Sequence, residues 1–395
     1  MKLRGPISRR SMLVLLHPVF ALTAVADAMT GPLLPSLAHA FHLSDSQAGL
    51  LLFWIFAGMA TGALLCRGNY AHLLTGGLLA MTCSCLWFQW VPRTMLFPFA
   101  FLFGVSVGMP MTAISLFAGR NYPARRASTL TLLNLTWSAG AMLAPLIAAR
   151  LLAVASWRAV YVVLACASGL ACAAAGFAIR DSPETARAAP QTAGFGNLRM
   201  IALFAVFFFL EVGVETTFGA WISTYVLRMT LTSVTLAAAA TAIYWTGFLA
   251  SRGLSPLVML RMRPGRLLQL SLIAALGAAI LLTASRSPLL LAASILLLGA
   301  TLAPIFPVAL AAFFDRARHS SDTRFVIALS GYGGSAMPWL VGWISTHAGG
   351  LRIGLLAGPA ALLVMTAMLP WLGVSRGAAA AGSNEGIQPA EIARP

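Results

Sequence analysis

Three carboxylates stand where the chain is otherwise apolar: Asp27, Glu211 and Glu215. An ionised carboxylate is costly in hydrocarbon, so an acid inside a membrane span is a functional candidate by default. Glu211 and Glu215 are four residues apart and share one face of a helix, one turn from each other. Two carboxylates that close in a low dielectric resist double ionisation, so one of them is expected to carry its proton near neutral pH. That is the property proton coupling needs. The apolar runs hold no Lys or Arg at mid-depth to neutralise these acids permanently, so a lost proton would be replaced by substrate hydroxyls or a cation. Packing roles fit the same residues if Thr, Tyr or backbone groups cap the acids, above all for Glu211, which lies nearer the expected cytoplasmic end.

The elements that position these acids follow from composition. Hydrophobic residues make up 59% of the 395 positions and charged residues 9%, against about 45–50% and about 25% in soluble domains. So few charges cannot cover a water-facing surface. The net charge of +16 is not the face or tail of a nucleic-acid binder, because the basic residues come in small clusters between apolar stretches. Five cysteines lie in or beside those stretches without metal or disulfide spacing, and the six His residues form no ligand cluster. No cofactor and no metal are expected. A phosphate-cradling GxxxxGK[ST] loop is missing, and no polar segment is long enough for a catalytic domain, so an enzyme is excluded.

A membrane-crossing helix needs about 20 mostly apolar residues. Such runs fall at 12–38, 47–66, 71–91, 94–118, 128–152, 158–179, 199–225, 233–250, 264–286, 287–313, 324–346 and 351–374. The fold class is therefore all-α and integral to the membrane, with about twelve transmembrane helices in two six-helix repeats. The polar linker at 180–198 separates an N-terminal half, 1–179, from a C-terminal half, 199–374. The Ala/Gly/Pro-rich segment 375–395 reads as a disordered cytoplasmic tail. With the N-terminus in the cytoplasm, 20 of the 26 basic residues fall on the cytoplasmic side. Arg67 and Arg252 are counted there, Arg228 on the other side. This satisfies the positive-inside rule with both termini inside. A bacterial-type inner (plasma) membrane, a multi-pass topology and a monomer are expected.

The two halves repeat in order. Gly62-Ala-Leu64-Leu-Cys66-Arg67 matches Gly247-Phe-Leu249-Ala-Ser251-Arg252, both G-x-L-x-small-Arg. Gly140 to Pro145 matches Gly333 to Pro338, both G-x4-P, and Trp157-Arg158 matches Leu351-Arg352. Gly104 matches Gly299, and aligning Gly31 with Gly219 sets Asp27 on Glu215, one carboxylate in each half.

The 6+6 layout and the G-x-L-x-small-Arg loops resemble the major facilitator superfamily, whose loop carries an Asp where this chain has Cys66 and Ser251. Two stretches, Phe209 to Tyr225 and Ala303-Pro304-Ile-Phe-Pro307, resemble spans seven and ten of fucose/glucose-type, proton- or sodium-coupled sugar symporters. The resemblance implies a secondary transporter whose site lies near the membrane midplane between the repeats, with Asp27 and Glu215 facing it.

The expected substrate lining is Asn134, Trp137 and Ser138 on one face of span five, Trp221 and Tyr225 on span seven, and Tyr244 and Trp245 on span eight. Aromatic faces pack on C–H surfaces while Tyr and Trp tips fix orientation, and a sugar needs both. Asn134 equally suits an interhelical hydrogen bond, and Tyr225 an interfacial anchor. Pro110, Pro304 and Pro307 are read as bends in moving helices. Pro145 and Pro338, with Arg67 and Arg252, complete the expected gating set.

The function expected is alternating-access, proton-coupled uptake of a small neutral polar solute of sugar type, with a proton favoured over sodium as the coupling cation and the lipid bilayer as surroundings. The competing function is a proton-driven efflux antiporter for drugs or metabolites, suggested by Gly140-Ala-Met-Leu-Ala144-Pro145-Leu-Ile-Ala148-Ala149. Anionic solutes are disfavoured because no cation is read at mid-depth.

Overall fold

A computed structural model describes residues 9–122, 126–179, 197–317 and 320–372. The linker expected at 180–198, apart from Asn197 and Leu198, lies outside the described residues. So do the tail from Ser375 and the basic residues Lys2, Arg4, Arg125, Arg180, Arg187, Arg318, Arg376 and Arg394. The described chain forms fifteen helices: α1 (Arg9–Ala28), α2 (Thr30–Ala40), α3 (Asp45–Leu65), α4 (Tyr70–Phe88), α5 (Leu96–Asn121), α6 (Arg126–Val154), α7 (Trp157–Ile179), α8 (Leu198–Thr230), α9 (Val234–Met259), α10 (Pro264–Ala284), α11 (Pro288–Leu302), α12 (Ile305–Phe314), α13 (Ser320–His347), α14 (Leu351–Gly354) and α15 (Ala357–Leu372). By length and composition they amount to eleven spans, or twelve when α1 and α2, bent by about 40°, count as one.

Backbone chemistry explains the breaks. Pro32 and Pro35 lack the N–H groups that would reach the carbonyls of Ala28 and Gly31, and the helix bends at Met29 just before them. Pro304 does the same between α11 and α12. The other prolines of the expected bends and gating set lie inside helices: Pro110 in α5, Pro145 in α6 and Pro338 in α13, and Pro307 in α12. Pro110 instead fits into the gap left by Gly77 of α4, where a Cβ would come within 2.6 Å of its ring. Polar residues close the exposed starts: Ser44 and Gln47 form a capping box on α3, and Asn69, Asn197 and Ser233 cap α4, α8 and α9.

In lipid, helices are drawn together by close backbone approach at small residues rather than by hydrophobic collapse. Gly104 lies on the carbonyl of Ile55, and Gly299 on that of Tyr244; an added Cβ would sit 2.0 Å from either oxygen. Gly58 packs on the carbonyl of Phe101 as Gly247 packs on that of Leu296. Gly140 packs on Ala21 as Gly333 packs on Phe209. The match of Gly104 with Gly299 and of Gly140 with Gly333 is thus repeated in the packing. The match of Gly62 with Gly247 is not: Gly247 is the packing equivalent of Gly58, one turn earlier. Arg252 is therefore no counterpart of Arg67. Arg67 lies exposed in the turn between α3 and α4, beside Gly68 at φ 94°, whereas Arg252 lies inside α9, which runs nine residues beyond the expected end of span eight.

Candidate functional site

The bend between α1 and α2 delivers Asp27 to a small cavity among α1, α2, α3, α6, α8 and α9. Its wall is Asp27, Ala28, Thr30 and Gly31 from the bend, Phe56 from α3, Trp137 from α6, Glu215, Thr216, Gly219 and Ala220 from α8, and Trp245 from α9. Two glycines make this assembly possible. A Cβ on Gly31 would stand 2.2 Å from the carbonyl of Gly219, and one on Gly219 would stand 3.3 Å from the Trp245 ring. The α2 and α8 backbones therefore meet directly four residues beyond each acid. Because Ala21 and Phe209 occupy equivalent places 188 residues apart, the same spacing pairs Asp27 with Glu215.

The floor of the site is held by groups that satisfy one another. Tyr244 Oη donates to the Glu215 carbonyl at 3.3 Å. Thr216 Oγ1 lies 2.7 Å from the Val212 carbonyl and 3.2 Å from that of Gly334, the oxygen that Pro338, without an N–H, leaves unserved. Trp137 and Trp245 meet edge to face, centroids 5.7 Å apart at 78°. Both indole N–H groups are buried without a hydrogen-bond partner. A buried donor without an acceptor is costly, and here two of them belong to rings that line one small cavity.

Of the seven residues expected to line the site, only these two tryptophans do. Ser138 is fully buried, donates to the Asn134 carbonyl at 3.0 Å and accepts from Arg252 Nη1 at 3.2 Å. Asn134 is exposed and its amide returns to Leu130 of its own helix at 3.0 Å. Trp221 and Tyr225 are packing residues, their polar tips spent on the carbonyls of Pro338 (3.0 Å) and Leu282 (3.2 Å). Tyr244 lies just behind Glu215. Glu211, one turn along α8, is outside the cavity and fully buried, and neither of its carboxylate oxygens has a hydrogen-bond partner. Arg252, expected in the loop after span eight as a gating residue, lies instead inside α9 and donates to Ser138, and its charge acts on Glu215, Glu211 and Tyr244. Arg252 does not line the cavity, whose two carboxylates leave no cationic surplus for an anionic solute.

The Major Facilitator Superfamily model matches residues 16–338. The chain belongs to that superfamily. Membership makes it a multi-pass membrane transporter and not an enzyme. This superfamily member is 23% identical over 351 residues to the glucose/mannose transporter of Bacillus subtilis (strain 168), covering 83% of this chain and 86% of that one. It is 30% identical over 171 residues to sodium-dependent glucose transporter 1A of Mus musculus, covering 42% of this chain and 39% of the relative. Among solved structures, the inward-facing, occupied form of a bacterial homologue of the human lysosomal transporter Spinster superposes with a TM-score of 0.73 at 16% identity, covering 92% of this chain and 97% of that one.

A second polar cluster went unread in the sequence. It lies on the far side of the molecule, where α2 ends and α3 begins, opposite the side on which α1 starts. Arg228, at the end of α8, grips Asp45 with both guanidinium nitrogens at 2.6 and 2.7 Å. Ser345 of α13 donates to the same carboxylate at 2.5 Å, and Ser46 N donates to Thr346 Oγ1 at 2.8 Å. The signal was present: the Ser44–Gln47 capping box puts Asp45 in the first turn of a helix, and Arg228 is one of the few basic residues on the minority side.

Proposed function

We propose that this transporter carries a neutral monosaccharide into the cell together with a proton, by alternating access, with Asp27 and Glu215 as the proton-coupling groups and Trp137 and Trp245 as the sugar-orienting ones. The observation that carries the reading is the composition of one cavity: two carboxylates, two unpartnered indole donors and two aromatic faces, with no charge of the wrong sign for a polyhydroxylated solute. Sugar hydroxyls accept from the indoles and donate to the carboxylates, and aromatic rings take the C–H faces. The glucose/mannose relative, which matches most of both chains, supports a hexose.

The repeated packing glycines support two halves that move as bodies about this cavity, with boundaries at 1–179 and 199–374 and the side of α1's start facing the cytoplasm. Neutralising the acids by protonation removes the cost of closing the cavity over them, and sugar hydroxyls complete the satisfaction. A proton is the simpler coupling ion here, because it neutralises a buried carboxylate without needing a shell of oxygen ligands.

The test is uptake of labelled glucose, mannose, xylose and a cationic drug into proteoliposomes under an imposed proton gradient, a sodium gradient or neither. Accumulation of a hexose driven by inward protons is the expected result. Accumulation that follows sodium alone, or outward movement of the drug with hexoses ignored, would sink it.

A further inference from the structure

Glu211 and Arg252 belong to neither the cavity nor the far-side cluster, yet they are the residues that an apolar helix bundle should least tolerate. Glu211 is fully buried with both oxygens unpartnered. A carboxylate in that condition demands an explanation, and the nearest cationic charge acting on it is Arg252. Arg252 is not spent on it. Its Nη1 reaches across to Ser138 on α6 at 3.2 Å, and its guanidinium lies 4.6 Å from the Phe248 ring centroid one turn back along α9. A side chain on a helix leans toward the N-terminus, so this arginine points from the near side toward Tyr244 and the acids. Ser138 has one hydroxyl hydrogen and gives it to the Asn134 carbonyl; toward Arg252 it can only accept.

The surroundings leave few other partners. Tyr244, Phe248 and Arg252 follow one another at single turns of α9, the guanidinium lies on Phe248, and Tyr244 touches Glu215 of α8, so the carboxylates along this face, whose charges act on Arg252, are Glu215 and Glu211. From α6 it meets Ser138. Helix α11, also packed along α9, carries no titratable side chain, and the single titratable group of α2, His39, is in its last turn on the far side. Asp27 of α1 meets Glu215 across the cavity. The contact to Ser138 lies in the seam between α6 and α9, where Leu135 also stands 3.8 Å from the place of a Cβ on Gly253.

We propose that Arg252 is a positioning residue with two alternative holds, Ser138 on α6 and the Glu211–Glu215 pair on α8, so that the charge of the pair decides whether α9 stays fastened to α6. With the pair neutral, the guanidinium keeps Ser138 and the seam is closed, the arrangement seen here. When the pair ionises, attraction in a low dielectric outweighs a hydrogen bond to a neutral hydroxyl. Arg252 then turns to the acids and the seam loosens. The inference rests on the proposed proton coupling, but it concerns the seam and can be read without transport.

The experiment uses the full-length chain with Leu135→Cys and Gly253→Cys, and measures the rate of oxidative cross-linking of the pair in mildly acid and mildly alkaline membranes, corrected for thiolate reactivity with a single-cysteine control. Cross-linking is expected at least threefold faster in acid. That difference should vanish in Arg252→Gln and in Glu211→Gln/Glu215→Gln, and persist in Arg252→Lys at reduced size. Ser138→Ala, a mild change, should leave the acids as the only hold, loosen the seam at both pH values and move the midpoint of the uptake pH profile to lower pH, since Arg252 then stabilises the ionised pair. A pH-sensitive seam that survives Arg252→Gln, or a Ser138→Ala profile with an unmoved midpoint, overturns the inference. If wild-type uptake ignores the proton gradient while the seam still responds to pH through Arg252, the coupling reading fails and this one stands.

Discussion

The far-side cluster and the central cavity both set carboxylates among packed helices, and they treat them in opposite ways. Asp45 accepts from Arg228 through two nitrogens and from Ser345, and it sits at the N-terminus of α3, where the helix dipole favours a negative charge. Its side chain is 15% exposed and that of Arg228 43%, so water shares the load. In the centre, Glu211 is sealed off with no hydrogen bond at all, and Asp27 and Glu215 line a cavity with no ion-pair partner among the described residues. A satisfied charge fixes one arrangement of the helices that hold it. An unsatisfied one has two accessible conditions, with and without a proton or a ligand, and only such a group can bias a conformational equilibrium. The far-side cluster joins α3, α8 and α13 as a latch; under the coupling proposed above, the central acids are where a solute and a proton would bias whether it holds.

The sharpest break of this contrast is Glu215→Gln. The amide keeps the volume and removes the titration, so gradient-driven accumulation should fall by more than about tenfold, above about 1.4 kcal/mol in the coupled step. Exchange of labelled for unlabelled sugar at equal pH should survive. Accumulation at the wild-type level would place coupling elsewhere. Next in size are Trp245→Phe and Trp137→Phe, which keep a ring and delete the unpartnered N–H. Each should raise the KM for sugar by about three- to tenfold, the worth of one hydrogen bond, with little change in the maximal rate. An unchanged KM would mean that neither indole meets the solute.

The latch should behave differently. Arg228→Ala or Asp45→Asn should leave a sugar-binding protein whose unfolding midpoint drops by a few degrees. A double-mutant cycle over the pair should give a coupling at or below about 1 kcal/mol, because Arg228 is well exposed to solvent. The visible change should be kinetic: faster exposure of the cavity to the far side, read as a higher rate of labelling of a cavity cysteine from that side. A coupling well above that figure, or complete loss of transport, would make the latch part of the chemistry instead.

Much of this was legible in the residue order, and the reasons for the rest are specific. Acids in apolar runs are conspicuous, so Asp27, Glu211 and Glu215 stand out. Which of them share a cavity depends on the bend at Met29, set by Pro32 and Pro35, whose effect on span one the sequence reading passed over. Arg252 escaped because a hydropathy run ends at the first long charged side chain, whereas the helix does not: an arginine stem is apolar enough to continue through the packing and place its head where acids wait. The glycines at 58 and 62 offer two registers one turn apart, and only the backbone contacts choose between them. Trp221 and Tyr225 were indistinguishable from lining residues because what disqualifies them, the carbonyls of Pro338 and Leu282, lies 117 and 57 residues away along the chain.

The smallest expected effect tests whether the latch is built locally or by the assembly. Ser44 caps α3 by accepting from Gln47 N at 3.3 Å while Gln47 Oε1 accepts from Ser44 N at 3.1 Å. Ser44→Ala should cost about 1 kcal/mol of stability, the usual loss for a cap. If the cap does no more than satisfy the helix end, that loss should be the same in an Asp45→Asn background. If it also holds Asp45 at the angle that lets Arg228 grip it with both nitrogens, the two losses should fall short of additive by about half a kcal/mol, the size of coupling seen between residues that share a network. Additive losses would assign the grip to Arg228 and Ser345 alone, and would make the latch a property of how α8 and α13 meet α3 rather than of how α3 begins.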